Sequence, residues 1–355
     1  MRRMRLDEAA IGMVIDEPPT DQTGRPLAAR GTTLDATLLE RLHEAGVQQI
    51  WVDDPAFRDL QFASLVTPAT QRLAVAVFAE VRERVRADPT APAPRQPFVR
   101  LSQSVIEDAE DESLDRLAHL TPANLAQRDA IHALNRASLA IRLTRQRRMG
   151  NYLQDIIFAA LTCDLGMLLT PEELRQREAL SAKEWEIIRA HVPASVRLLD
   201  SEQGWTGVTR TAVAQHHERL DGSGYPNGLR GEQIHPTAAL LMVCDIYAAM
   251  LLPRSDRAEL TSEEALAEVT GSAGTELDYD NVAAFHRMVP PFPVGTEVEL
   301  STGQRAVVLR VPENLKSRPV VRVFQGADGT RLQPWSELDL SERAQQATTV
   351  VRVIA

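Results

Sequence analysis

His216-His217-Glu218-Arg219-Leu220-Asp221-Gly222-Ser223-Gly224-Tyr225-Pro226, followed by Gly228-Leu229 and Gly231, is the stretch on which the reading of this chain turns. Adjacent histidines on a helix point about 100° apart, because an α-helix has roughly 3.6 residues per turn. Such a pair serves two metal ions of one cluster better than it chelates a single ion. The Asp-Gly-Ser-Gly-Tyr-Pro run reads as a loop, since its glycines let backbone approach a ligand closely and its proline interrupts regular structure. The plainer reading is a pair of helix-end histidines ahead of an ordinary loop, and lone histidines usually warrant it.

Around this string, from 121 to 270, helix signals repeat. Thr121-Pro122 and Thr170-Pro171-Glu172-Glu173 set a capping hydroxyl before a proline at the first helical position. Ser181-Ala-Lys-Glu184 and Thr261-Ser-Glu-Glu264 have the spacing of capping boxes. Ile187, Ile188 and His191 are expected to share one helical face. Residues 6 to 54 read as a small α/β unit. Ile11 to Ile15 is a short apolar run, Asp21-Gln-Thr-Gly24 a turn behind Pro18-Pro19, and Asp35 to Ala45 a helix closed by Gly46. Val47 to Val52 is then a closing strand. No chemistry shows in this unit, which reads as an interaction or sensory module.

Residues 60 to 86 read as helical, and Asp88-Pro-Thr-Ala-Pro-Ala-Pro-Arg-Gln-Pro97 as a linker that cannot sustain a helix. After Pro290-Pro291 the runs Val294 to Leu300, Ala306 to Val311 and Val320 to Phe324 point to a small antiparallel sheet. The expected layout is an N-terminal α/β module (1–55), a helix with a Pro-rich linker (56–115), a helical domain (116–290) and a C-terminal β unit (291–355).

The quoted string carries the HHExxDGxGYP pattern, and most of residues 120 to 335 resemble an HD-GYP domain, the bacterial, metal-dependent class of cyclic di-GMP phosphodiesterase. The resemblance implies a mainly α, HD-type helical domain flanked by the two small units. It implies a metal-ligand set of His132, Asp164, His191, His216, His217 and Asp245, with Asp164 bridging two ions and serving catalysis. It also implies a GYP loop of Asp221, Gly222, Gly224, Tyr225 and Pro226, and two substrate-phosphate residues, Arg254 and Arg257. Taken singly, each has a bland alternative: His132 a satisfied helix histidine, Asp245 a capping or paired carboxylate, the two arginines a solvated face. Glu40, His43 and Glu44 read as a polar helix face, and His119, His235 and His286 as structural or surface residues.

A phosphodiester resists hydrolysis because its charge repels hydroxide and its leaving alkoxide needs stabilising. Two metals about 3.5–4 Å apart supply a hydroxide at neutral pH and a charge clamp. Imidazoles and carboxylates suit iron or manganese, two ions if the ligand set is intact. The chain departs from the family pattern at three positions. Cys163 stands where the family has the histidine of its His-Asp pair, Met167 where it has a lysine, and Asp256 where it has a tyrosine between two arginines. Cys163 is a candidate metal ligand of softer type, or else a small buried residue, and the second reading has the larger share.

The net charge of −10 argues against a nucleic-acid polymer as partner, since phosphate backbones need a basic surface. Two cysteines in 355 residues give no disulfide framework and fit a reducing compartment. The N-terminus is charged at once, with no apolar run after it that reads as a signal or span. The expectation is a cytoplasmic hydrolase of cyclic di-GMP that uses a divalent metal, with full or reduced activity. Its rival is a catalytically silent HD-GYP protein that signals by binding nucleotide or a protein partner.

Overall fold

The computed structural model describes residues 2–19, 26–47, 49–59, 65–110, 127–175, 177, 179–199, 204–252 and 259–354. The chain divides into two compact units. One joins residues 2–59 with 290–354, and the other holds residues 65–110 and 129–289.

In the first unit, strands β1 (Arg2–Arg5), β2 (Ile15–Glu17) and β3 (Gln49–Val52) form an antiparallel sheet in the order β1-β3-β2. Helix α1 (Ala36–Glu44) starts where the Asp35 carboxylate accepts from Leu38 N at 2.7 Å. It buries Leu38 and Leu42 in a core with Met4, Leu6, Ile15, Leu34, Ile50 and Val52. Of the apolar run Ile11 to Ile15, Ile15 alone enters a named strand, β2, and β1 was not foreseen. Its sequence, Arg-Arg-Met-Arg, reads as charged surface, yet Arg2 and Met4 are buried. The expected turn at Asp21 to Gly24 lies outside the described residues.

The same unit contains β4 (Glu297–Leu300), β5 (Arg305–Arg310), β6 (Val320–Gln325), β7 (Arg331–Asp339) and β8 (Val350–Val353), antiparallel in the order β7-β6-β5-β4-β8. Where the sequence reading separates the two terminal modules, buried ion pairs join them. Arg2 donates to Glu297 from Nη2 at 2.6 Å and from Nε at 2.9 Å. Its guanidinium carbon lies 5.4 and 5.3 Å from the ring centroids of Phe57 and Phe324, which are 5.3 Å from each other. Arg322 grips Asp59 with two hydrogen bonds of 2.6 and 2.8 Å.

The second unit is helical: α2 (Pro68–Ala87), α3 (Arg95–Glu110), α4 (Arg128–Gln146), α5 (Leu153–Thr162), α6 (Glu172–Arg175), α7 (Ala182–Arg189), α8 (His191–Leu198), α9 (Gly207–Gln215), α10 (Pro236–Met250), α11 (Ser262–Gly271) and α12 (Tyr279–Met288). Both expected capping boxes form, at Ser181/Glu184 and Thr261/Glu264. The segment read as a linker already turns helical at Arg95. Pro97 falls in the first turn of α3, where a missing N–H has no intrahelical acceptor to lose. Ile187 and Ile188 belong to α7 and His191 to α8, because the helix is interrupted at Ala190.

Helix α10, apolar nearly all round, is buried on nearly every side, and α4 is buried almost as fully although Asn135, Arg136, Ser138 and Thr144 lie among its buried residues. The stretch Gly150–Leu169 is long and apolar enough, by length and composition alone, to cross a membrane. Here Ile156, Ile157, Ala159 and Ala160 are fully buried in the helical unit.

Glu297→Ala strands the Arg2 charge in a buried aromatic setting, with the Asp54 carboxylate 3.5 Å away. Breaking one partner of a buried pair costs roughly 3–5 kcal/mol. Urea denaturation should show a loss of that size, whereas Asp7→Ala, which breaks an exposed pair with Arg5, should leave the midpoint unmoved.

Candidate metal centre

Five segments of the helical unit deliver the candidate side chains. His132 comes from the second turn of α4, Asp164 from just past α5, and His191 from the first residue of α8. His216 and His217 follow the end of α9, and Asp245 lies in the second half of α10. The structure brings all six together. Asp164 sits at their middle: Oδ1 is 3.3 Å from His191 Nε2 and 3.6 Å from His216 Nε2, while Oδ2 is 3.6 Å from His132 Nε2. Asp245 is 3.1 Å from His132 Nε2 and 3.8 Å from His217 Nδ1.

Two donor sets result, sharing Asp164: Asp164, His191, His216 and His217 in one, and His132, Asp164 and Asp245 in the other. Within each set the donor atoms lie within 4.8 Å of one another. The adjacent histidines were expected to diverge about 100° along a helix. Instead both follow α9, with ring centroids 4.0 Å apart and planes at 38°, and both belong to the first set.

Backbone carbonyls orient the first set. His191 Nδ1 lies 2.7 Å from Ile188 O, and His216 Nδ1 lies 2.7 Å from Val213 O. A carbonyl only accepts, so the network assigns the proton to Nδ1 and leaves each Nε2 with a lone pair. The two Nε2 atoms are 3.5 Å apart and both face Asp164 Oδ1. Facing acceptors of this kind call for a cation between them. A mixed imidazole–carboxylate set with carbonyl-held rings is the usual form of a divalent-metal site, and these residues fit one.

Electrostatics concentrate on one residue that the sequence reading gave no role. Arg136, one helical turn beyond His132, is fully buried. Its Nη1 lies 2.5 Å from Asp164 Oδ2, 2.5 Å from Asp245 Oδ1 and 3.2 Å from His132 Nε2. Burial works against ionising Asp164. The Arg136 charge outweighs it, holding the carboxyl well below its usual range. Asp245 is likewise depressed: burial opposes, and the Arg136 charge and the His132 hydrogen bond prevail. Burial, then the neighbouring His216, keeps His217 well below the ordinary histidine value. Burial would lower His191 as well, but the charge of the neighbouring Asp164 raises it.

Cys163 is fully buried and belongs to neither donor set among the described residues. Burial pushes its thiol well above the ordinary value, against a partial offset from Arg136, which disfavours the thiolate form that binds metal. Met167, in the lysine position, lies in the turn behind Asp164, where Thr170 Oγ1 is 3.9 Å from its sulfur. Arg254, Arg257 and Asp256 lie outside the described residues.

The GYP loop divides between support and surface. Glu218 is fully buried, and its carboxylate accepts from Asn227 N at 2.8 Å and Leu229 N at 2.9 Å, closing the loop behind the histidine pair. A Cβ on Gly224 would lie 2.4 Å from backbone atoms of Glu218 and Arg219, so no side chain fits there. Tyr225 packs beside His217, centroids 4.7 Å apart. Asp221 is exposed and turns the chain by accepting from Ser223 N and Oγ at 2.9 and 2.7 Å. Gly222 has φ +80°, the left-handed region that suits glycine. Pro226 is exposed at the loop surface.

The HD domain family matches residues 112–281, and a KOW domain associated with HD domains matches residues 297–355. A cyclic di-GMP phosphodiesterase of Pseudomonas aeruginosa is 28% identical over 380 residues, covering 99% of this chain and 91% of that one. A cyclic di-GMP phosphodiesterase of Borreliella burgdorferi is 25% identical over 193 residues, 54% of this chain and 51% of the relative, so the match spans about half of that protein. A 3′3′-cGAMP-specific phosphodiesterase of Vibrio cholerae is 31% identical over 117 residues, 32% of this chain and 22% of the relative.

Gly166 sets the spacing between Asp164 and His191. A Cβ there would stand 2.1 Å from His191 O and 2.8 Å from Ser195 N, while Gly166 N donates to Ser195 Oγ at 2.8 Å. Gly166→Ala should therefore lower stability by about 1–3 kcal/mol, as overpacked cores do. Gly271→Ala, in open space on α11, is the matched control and should cost nothing in the same thermal unfolding experiment.

Proposed function

We propose, of a chain that belongs to the HD domain family in its HD-GYP form, that it hydrolyses cyclic di-GMP to the linear dinucleotide or GMP with a bound divalent ion. One observation carries the reading: side chains scattered between positions 132 and 245 meet around the shared carboxylate of Asp164. The cyclic di-GMP phosphodiesterases of Pseudomonas and Borreliella support the choice of substrate.

Asp164, His191, His216 and His217 would hold the ion, and iron or manganese suits such nitrogen and oxygen donors. When bound, the ion supplies Lewis acidity that offsets negative charge on the phosphoryl oxygens and makes water acidic enough to react near neutral pH. The protein's own part is orientation. The carbonyls of Ile188 and Val213 aim two imidazoles, and Glu218 holds the GYP loop against the pair. Asp164 is the assigned catalytic residue, and Asp245 and His132 complete the cluster. Arg254 and Arg257 are assigned to the substrate phosphates, which a planar guanidinium grips by paired hydrogen bonds. The unit of residues 2–59 and 290–354 is assigned to an input signal or a protein partner. Cytoplasmic placement goes with this substrate and with Cys163 and Cys244, both buried and unpaired.

Chelation should abolish turnover of cyclic di-GMP, and manganese or ferrous iron should restore it. Faster turnover of 3′3′-cGAMP than of cyclic di-GMP would transfer the substrate assignment to the mixed dinucleotide. Replacing Arg254 and Arg257 together by alanine should weaken cyclic di-GMP binding in calorimetry with metal content unchanged.

Cys163 and Met167 occupy the positions where the family pattern has histidine and lysine. Cys163→His combined with Met167→Lys should raise turnover, by up to the order of 10²–10³ that one preorganised donor typically contributes. A wild type already fast, with no gain from the double change, would show that those two positions do not limit the reaction.

A further inference from the structure

The two halves of the centre differ in what balances their charge. Around His191 Nε2, His216 Nε2 and Asp164 Oδ1, lone pairs face one another at 3.3–3.6 Å. Around His132 Nε2, Asp164 Oδ2 and Asp245 Oδ1, a cation is already in place, because Arg136 Nη1 contacts all three atoms. We propose that Arg136 is the resident cation of this second half. The chain then binds one divalent ion, on Asp164, His191, His216 and His217, where the family resemblance implies two. The inference rests on reading the cluster as a metal site.

Several observations fix the guanidinium there. Arg136 lies four residues after His132, on the same face of α4. Its Nε donates at 2.8 Å to Ala160 O, in the last turn of α5, where carbonyls lack intrahelical partners and a positive charge complements the helix dipole. The two hydrogens of Nη1 serve the two carboxylates, which leaves His132 Nε2 to donate to Asp245 Oδ1 at 3.1 Å. A histidine protonated on Nε2 offers no lone pair at that atom to a metal.

His132 also lacks the support that the other two histidines have. Its Nδ1 is buried without a hydrogen-bond partner among the described residues, whereas His191 and His216 are each held by a carbonyl. Rings that bind metal are normally oriented through their second nitrogen. A divalent ion at ligand distances of about 2.0–2.2 Å from the same three atoms would overlap Nη1. Arginine does not deprotonate in proteins, so the conflict cannot be relieved by losing its charge.

Counting ions tests this without reference to activity. Wild type, Arg136→Lys and Arg136→Met are loaded with manganese, freed of excess by gel filtration, and analysed for metal per chain. Wild type and Arg136→Lys should hold one ion. Arg136→Met, with two buried carboxylates left uncompensated, should hold two. Manganese should also raise the melting temperature of Arg136→Met more than that of wild type, since ligand binding to the native state stabilises by mass action. Two ions per wild-type chain would overturn the proposal while leaving the metal-dependent reading intact. So would a folded Arg136→Met that holds only one. A wild type that holds none removes the metal reading and this inference with it. If Arg136→Met fails to fold, the wild-type count decides.

Discussion

The carboxylate of Asp164 is the constraint that the helical unit is built around. A buried ionised carboxylate carries a desolvation cost of several kcal/mol unless charges and donors surround it. Here Arg136 supplies the charge at Oδ2, beside His132, and the imidazoles of His191 and His216 face Oδ1, where a bound divalent ion would complete the balance. These groups arrive from three segments: His132 and Arg136 from α4, His191 from α8, and His216 from the end of α9. The packing of α4, α8, α9 and α10 around the end of α5 is therefore also the assembly of the charge balance.

Backbone groups do much of the positioning. Gly166 allows the turn after Asp164 to touch the first residues of α8. The carbonyls of Ile188 and Val213 set two ring orientations, and the buried Glu218 carboxylate ties the loop by two main-chain amides. The conspicuous GYP string thus contributes mostly framework. Its glutamate and second glycine are structural, its aspartate turns the chain at the surface, and its tyrosine flanks His217.

The first unit follows a related logic with another purpose. Arg2 and Arg322 are nearly buried and connect segments that are far apart in the chain. Aromatic faces from Phe57 and Phe324 enclose the Arg2 guanidinium. Such pairs give the contact between the N-terminal sheet and the C-terminal sheet its geometry, because a buried charge is satisfied in few arrangements.

The sequence by itself determined the helical class of the middle segment and both capping boxes, signals that lie within one or two turns, while the family resemblance implied the five residues that gather around Asp164. Other features were hidden because their causes are distant. The outer strands β7 and β8 carry little apolar alternation, since an edge strand has one neighbour, and β7 even tolerates Pro334. Strand β1 reads as charge until Glu297 neutralises Arg2. Arg136 was visible as an arginine one turn after His132, on an otherwise buried helix. Its meaning depends on carboxylates 28 and 109 residues away. Only the tertiary structure placed its guanidinium between them, because electrostatic partnership is set by distance through space, which spacing along the chain does not encode.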